Sequence, residues 1–559
     1  MSGLKADQDV KTVVPMREIV QRDFTAVSVY LLFFVLLVFT ISQKCYYHPN
    51  EHCMHIIANK YAEAIPTPSG DAAYIFKGPS ANANTMVTTL SVESGHSFDF
   101  ANAWHNMVND CHPPLYTLLL HFVCSFFPGV FSKWFAGSLN ICFMLLILFV
   151  VRKFVRVFTD NKFILTVVSL VVACSSALCN AAAFFRMYTA AMFWITLNTY
   201  LFVRQAGKSV TNKFCSLIFA VTLFSSMTHY YCAFYAILLS AVYAVQLLID
   251  REYKGLLKFC GTQLFAAVTM LSIYPSAIKH LFHSSRAVES LSNAGSATDY
   301  STRLLRCWKI MNNELFGGML IVCIVLAVGL CIYGYKFKPE KKTDLQGENA
   351  SNPETKRYWF VLIPVICYFL VVAKTAHIQV VDFFQEGFSR YFHPIFAVSL
   401  VGVLTYVFTK LSGIMKPKFS KIAITILSVL IICGSFGCTN WDMDFVYRGF
   451  IQNQPIRDAY ADADCICFTA IGINFCEECE FAGYKSLTWL PLNFDYTKLD
   501  NVNFGSKLVI CIQNPGYSTD ETMNRILPHL RGFNVTYRVP MFLEWGTKGT
   551  LYYLDRIGI

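Results

Sequence analysis

The run NDCHPPLY, residues 109–116, sets an acid, a thiol, an imidazole and two prolines directly ahead of the apolar stretch TLLLHFVCSFF. Asp110 and His112 are of the types that move protons or hold a metal. The same types also start helices. Asp110 can cap one, with Pro113 and Pro114 in its first turn, and a helix N-terminus favours a bound anion such as phosphate. Both readings stand on residue type alone. Arg186 in FFRMY and Arg390 in FSRYF fit either arginines snorkelling at a membrane interface or a paired guanidinium clamp for phosphate. The run YPSAIKHLFHSSR carries Lys279, His280, His283 and Arg286, as a solvated helix face or a basic cradle. HPNEHCMH offers His48, Glu51, His52, Cys53 and His55, at spacings that match no tetrahedral metal site. Cys465, Cys467, Cys476 and Cys479 lack zinc-ribbon spacing too, and read as disulfides or buried strand cysteines.

The elements that must position these residues are membrane helices. Of 559 residues 55% are hydrophobic and only 15% charged, against roughly 25% charged in soluble domains. Phe24 to Gln43 carries no charge over about the length needed to cross a ~30 Å hydrocarbon layer. No small-residue cleavage site follows it, so it reads as a retained anchor. Similar runs recur, which predicts a polytopic α-helical membrane protein of about eleven spans. Their positions are about 24–43, 134–151, 163–180, 188–203, 214–228, 231–249, 259–274, 316–333, 358–373, 392–409 and 421–438. The net charge of +10 is explained by orientation rather than nucleic acid, because every second loop is basic and basic loops stay in the cytoplasm. Most of the 21 cysteines fall in apolar runs, where a thiol behaves as a small hydrophobe.

Three parts follow. Residues 1–23 form a cytoplasmic tail. Residues 24–438 form the transmembrane domain, with a first outer loop at 44–112 and an interfacial helix at 113–127. Residues 439–559 form an extracytoplasmic α/β domain, in which DADCICFTA, KLVICIQ, NVTYRVP and GTLYYLD read as strands and TDETMNRILPHL as a helix. The stretch 336–357 is a polar cytoplasmic linker. With basic loops inside, Glu51, Asp110, His112, Arg186, His229, His280, Arg286, Asp382, Glu386 and Arg390 all fall at the outer face.

NDCHPPLYTLLLHFVCSFFPGVFSKW resembles the D-x-HPPLYY element of polytopic glycosyltransferases of the GT-C fold. More closely, it is similar to that of RgtA/B/C/D-like bacterial membrane proteins, relatives of the protein O-mannosyltransferases. FFRMYTAAMFW, THYY at 228–231, YPSAIKH and AKTAHIQ…FSRYFHPIFAV resemble further elements in the same order, over about 400 residues. The resemblance implies transfer of a sugar from a polyprenyl-phosphate carrier to an extracytoplasmic acceptor, in the cytoplasmic membrane. It implies Glu51 and Asp110 as the catalytic acids or ligands of a divalent metal. It implies His112, Arg186, Tyr188, His229, Tyr230, Lys279, His280, Arg286, Arg390 and Tyr391 as substrate-binding residues. The family pattern has an Asp-Glu pair just after the first span, whereas this chain has Asn50-Glu51. Asn takes up no proton, and that departure leaves open a catalytically impaired scaffold. A transporter is the third reading. It predicts charges near mid-membrane and repeated halves, which the sequence does not display.

Overall fold

The computed structural model describes residues 16–44, 47–60, 90–295, 300–336, 353–376, 388–439, 443–446, 453–469, 484–514, 518–542 and 548–558. Most of residues 1–23 and of the polar stretch 336–357, together with Asp382, Glu386, Cys476, Cys479 and the Arg286 side chain, lie outside the described residues.

All eleven expected spans fall on helices, but not all are single straight crossings. Seven helices are long and apolar enough to cross a membrane. Two more spans are bent pairs: Lys162–Ala173 with Ser176–Ala183 at 45°, and Tyr300–Leu315 with Leu320–Tyr333 at 89°. The remaining two expectations meet Asn212–Ser226, which is short, and Tyr188–Gln205, which is polar. Tyr188–Gln205 is the centre of the bundle, packed on Lys133–Phe158, Asn212–Ser226, Tyr230–Ile249 and His393–Ile414. Protein rather than lipid surrounds its buried Thr189, Thr196, Asn198 and Thr199, so the helix does not need an apolar exterior. The outer helices show the opposite pattern. Along Met16–Ser42, Val29, Phe33, Leu37 and Ile41 recur every fourth residue and are buried, while Val27, Leu31, Val35 and Phe39 are exposed. A helix apolar all round, with one face exposed, suits a lipid neighbour.

The C-terminal part holds a five-stranded sheet in the order β2-β1-β3-β5-β4. The strands are β1 Asp464–Thr469, β2 Ser486–Pro491, β3 Lys507–Asn514, β4 Phe533–Phe542 and β5 Lys548–Arg556. β1 is parallel to β2 and β3, whereas β5 runs antiparallel to β3 and β4. Strand alternation sorts the two faces: Cys465, Cys467, Val509 and Cys511 share one core, Ile466, Phe468, Ile510 and Ile512 the other. Cys465 and Cys467 are therefore buried strand cysteines, as expected. The helix Thr519–Ile526 covers β3 and β5.

Candidate active site

The described parts of the stretch 44–112, expected as an outer loop, contain helices Pro49–Asn59 and Phe100–Val108, and helix Leu115–Cys124 falls on the helix expected at 113–127. His48 caps the first, its Nδ1 accepting the Asn50 N–H at 3.1 Å. Glu51, in the first turn, is fully buried. Its Oε2 accepts from Lys44 Nζ at 3.0 Å and from the His48 N–H at 2.5 Å, and its Oε1 from the Phe185 N–H at 2.6 Å. Lys44 also donates to the Phe445 carbonyl at 2.7 Å. Burial pushes the Glu51 carboxyl up, against the pull of Lys44 and the two backbone donors. Three donors close around the group, and the node ties together the end of the first span, helix Pro49–Asn59, the FFRMY turn and the segment after helix Pro417–Gly437.

A second node fixes the HPPLY element. Asn140 is fully buried and donates to the Ala182 and Phe184 carbonyls at 2.9 and 2.8 Å. Its Oδ1 accepts from Tyr116 at 3.1 Å and Thr189 at 2.7 Å. All four hydrogen-bonding capacities of the amide are thereby used. The turn that carries Arg186 is pinned at both ends to the tyrosine of HPPLY.

Arg186, 5% exposed, does not snorkel. Its Nη1 donates to the Asn50 carbonyl at 2.6 Å, and its Nη2 lies 3.4 Å from His112 Nε2. Asn50 meets Arg186 through its backbone, a contact an aspartate there would also provide. The other ring nitrogen of His112, Nδ1, lies 2.8 Å from Asp110 Oδ2. The capping role expected for Asp110 is corrected here. Helix Leu115–Cys124 has Pro114 at its N-cap and no side-chain cap, because the two prolines carry the chain onward and Asp110 turns to His112 instead. Burial opposes the charge on both partners, but their attraction prevails. Asp110 is held well below the usual carboxylate range by His112 and Arg186. His112 is lifted to about 9 by Cys111 and Asp110. Both side chains keep about a fifth of their surface open, at 20% and 21%.

Arg390 approaches from the other side, its Nη1 2.9 Å from His48 Nε2, its guanidinium over the Tyr391 ring at 5.1 Å. Tyr188 and His229 complete the wall. The His229 ring is 5.2 Å from Tyr188 and 5.8 Å from His112. Asp110, His112, Arg186, Tyr188, His229, Arg390 and Tyr391 thus form one cluster, with Glu51 beneath it. Tyr230 and His280 pair with each other at 3.0 Å, and His280 bonds the Val108 carbonyl at 3.1 Å, so they brace the rim. Lys279 is exposed. Asn140, Lys44 and the contact role of His48 were not legible in the sequence, because a polar residue in an apolar run does not name its partners.

Asp110, Cys111 and His112 can offer one ligand atom each, all within 4.8 Å of one another. This mixed oxygen, sulfur and nitrogen set suits a borderline ion such as zinc. Glu51 faces Lys44 and is not part of that set.

No family model matches this chain, and no curated protein does. Solved structures do. ArnT from Cupriavidus metallidurans bound to undecaprenyl phosphate is 10% identical, with a TM-score of 0.49 over 96% of this chain and 98% of that one. The apo state of the same protein gives 9% identity and a TM-score of 0.46, over 94% and 98%. The Archaeoglobus fulgidus oligosaccharyltransferase in complex with Zn and sulfate is 10% identical, with a TM-score of 0.39 over 85% and 67%.

Proposed function

We propose that this chain is a membrane glycosyltransferase that takes a sugar from a polyprenyl-phosphate carrier and passes it to an acceptor on the extracytoplasmic side. The observation that carries the reading is the cluster itself. Among the described residues, two guanidinium groups and a histidine lifted to about 9 gather with Asp110, an acid with an open face, at the level where the helices Tyr188–Gln205, Tyr230–Ile249 and His393–Ile414 begin. Positive helix ends and cations converge there, which favours an anionic group. Arg186 and Arg390 would neutralise the phosphate as the bond from sugar C1 to phosphate oxygen breaks and its electron pair leaves with the phosphate. The acceptor hydroxyl forms the new bond to C1, and its proton passes to Asp110, the acid with an open face. Glu51 is the positioning residue, since all its approaches are taken by donors. A metal held by Asp110, Cys111 and His112 would supply Lewis acidity toward the phosphate. The exposed apolar side chains Ile278, Leu281 and Phe282 beside Lys279 fit a lipid-facing rim where a prenyl chain stays in the bilayer.

The test is transfer of labelled sugar from a polyprenyl-phospho-sugar by the full chain in nanodiscs. Loss of turnover in Asp110→Asn, with the fold intact, is expected. Undiminished turnover removes the acid assignment, and no transfer by the unaltered chain with any donor favours the scaffold.

A further inference from the structure

At the end of the bundle away from the candidate active site, three helices place polar groups at one depth. Arg152 precedes the end of helix Lys133–Phe158 by about 9 Å, and Ser169 follows the start of helix Lys162–Ala173 by about 10 Å. Tyr30 stands about 9 Å inside the first span, counted from Phe24. The first span packs on both of the other helices, so the three residues share one corner. Along helix Lys133–Phe158, Arg152 is about 18 Å from Asn140, the anchor of the HPPLY element.

Arg152 is half-buried. Its Nη1 donates to Ser169 Oγ at 3.1 Å, and the Ser169 hydroxyl donates in turn to the Leu165 carbonyl at 2.6 Å. The serine takes one of the five N–H donors of the guanidinium and fixes its plane. The groups whose charge acts on Arg152 are Tyr30 and Arg156, and no acid is among them. Arg156 is exposed and lies one turn further along the same helix face; both guanidinium groups act on Tyr30. Like charges at this spacing repel, and a charge at this depth is costly without a counter-charge. The neighbouring turns carry Val27, Phe34 and Phe149 exposed, a surface that suits lipid rather than water.

We propose that Tyr30, Arg152 and Arg156 bind the headgroup phosphate of an anionic phospholipid, on the leaflet away from the candidate active site. The two guanidinium groups clamp the phosphate, whose oxygens match their planar donors, and its charge removes the repulsion between them. The Tyr30 hydroxyl adds a donor from the first span, and Ser169 is the positioning residue that holds the Arg152 plane. Basic pockets between membrane helices take anionic headgroups in this way. The apolar side chains beside the corner give the acyl chains a surface, which a soluble phosphate would not use. The site is separate from the one under Proposed function and stands whether or not that reading holds.

The full-length protein is placed in nanodiscs holding equal parts of phosphatidylcholine and phosphatidylglycerol, then released into a mass spectrometer that counts the lipids retained. Phosphatidylglycerol should be retained well above its share. Arg152→Gln and Arg156→Gln should each weaken that retention by roughly tenfold, as for a lost hydrogen bond to a charged group. Glutamine at 152 still offers an N–H to Ser169, and Arg156 is exposed. Both variants should therefore unfold at the unaltered temperature in pure phosphatidylcholine. Phosphatidylglycerol should raise the unfolding temperature of the unaltered chain, and the gain should vanish in both variants. Titration with farnesyl phosphate separates the two lipid sources of phosphate, and its binding should be the same in the variants as in the unaltered chain. A tenfold fall there, with phosphatidylglycerol retention unchanged, would assign the corner to an isoprenoid phosphate and overturn the phospholipid proposal. Equal retention of the two phospholipids, or full retention of phosphatidylglycerol in either Gln variant, would overturn it as well.

Discussion

Replacing Glu51 with glutamine decides between the two carboxylates. If Glu51 were the base, Glu51→Gln would leave the fold untouched and stop the chemistry. The geometry predicts the reverse order of effects. Glu51 Oε2 receives Lys44 and the His48 N–H, and Oε1 receives the Phe185 N–H, at 2.5–3.0 Å. Both side chains of the ion pair are 0% exposed. A glutamine has one acceptor oxygen, so its amide nitrogen must face either the Phe185 N–H or the Lys44 and His48 donors. One buried donor is left facing another, at about 1–3 kcal/mol. The Lys44 ammonium also loses its counter-charge in a buried setting, and breaking one side of a buried pair costs about 3–5 kcal/mol in all. The Phe445 carbonyl still holds Lys44, so the lower half of that range is expected. The assay is thermal unfolding in detergent followed by tryptophan fluorescence, run beside farnesyl phosphate binding and sugar transfer. A fall of several degrees in apparent Tm is expected, with activity lost in proportion. The double variant Lys44→Met with Glu51→Leu should regain stability, because apolar replacement of a whole buried pair is often neutral. An unchanged Tm with abolished transfer in Glu51→Gln would refute this reasoning and make Glu51 the chemical base.

Three further outcomes follow from the same contacts. Asn140→Leu removes the four bonds that join Tyr116, Thr189, Ala182 and Phe184 and strands two buried carbonyls. It should cost about 2–4 kcal/mol and loosen Arg186, read as weaker farnesyl phosphate binding beyond the drop in Tm. The Asp110–His112 pair makes stability depend on pH. His112 is raised from 6.5 to about 9, so its contribution is full below 6.5 and lost as pH rises through about 9, worth at most about 3 kcal/mol. Asp110 is depressed, so its share is present above the ordinary carboxylate range and lost in acid. Unfolding temperatures between about pH 5 and pH 10 should show the alkaline fall, and Asp110→Asn should diminish it, Cys111 supplying the rest. Gly434→Ala should be poorly tolerated, because a Cβ there would strike the backbone of Gly317, itself at a φ of +57°; impaired membrane insertion or a collapsed gel-filtration peak is the readout.

The fold was legible where charge is scarce. In a chain this apolar, each basic loop marks a helix end, and all eleven runs proved helical. The arm Tyr300–Leu315, bent by 89° from Leu320–Tyr333, was not legible as part of a span, since Arg303, Arg306, Lys309 and Glu314 make it read as a polar loop. The strand Ser486–Pro491 was missed because Pro491 and the surrounding polar residues mask it. At the site, HPPLY, FFRMY and FSRYF stood out as rare polar groups between apolar runs, and the structure brings them together. What each residue does there depends on partners far along the chain. Glu51 meets Phe185, His48 meets Arg390, and Lys44 meets Phe445; none of these pairings has a local signature. Asp110 misled for the complementary reason. Its local signature as a helix cap was strong, yet a histidine two residues away offered an ion pair.

That competition also bears on the family pattern. The Asn50 departure matters only if the side chain at that position does chemistry, and here it is the Asn50 carbonyl that holds Arg186. The neighbouring Glu51 is buried against Lys44, which under the proposed reading makes it part of the scaffold rather than of the reacting face. A site that kept both carboxylates exposed would set two negative charges against the phosphate. With Glu51 paired to Lys44, the open face carries, among the described residues, Arg186, Arg390 and His112 against Asp110. This balance favours holding a doubly charged phosphate over binding a neutral acceptor. It places the demand for acceptor activation on one acid whose proton affinity is low, so bond breaking to the phosphate should run ahead of proton removal from the acceptor. Transfer should then respond more steeply to substitution of Arg186 than to substitution of Asp110, and the reverse order would point to a base-led reaction.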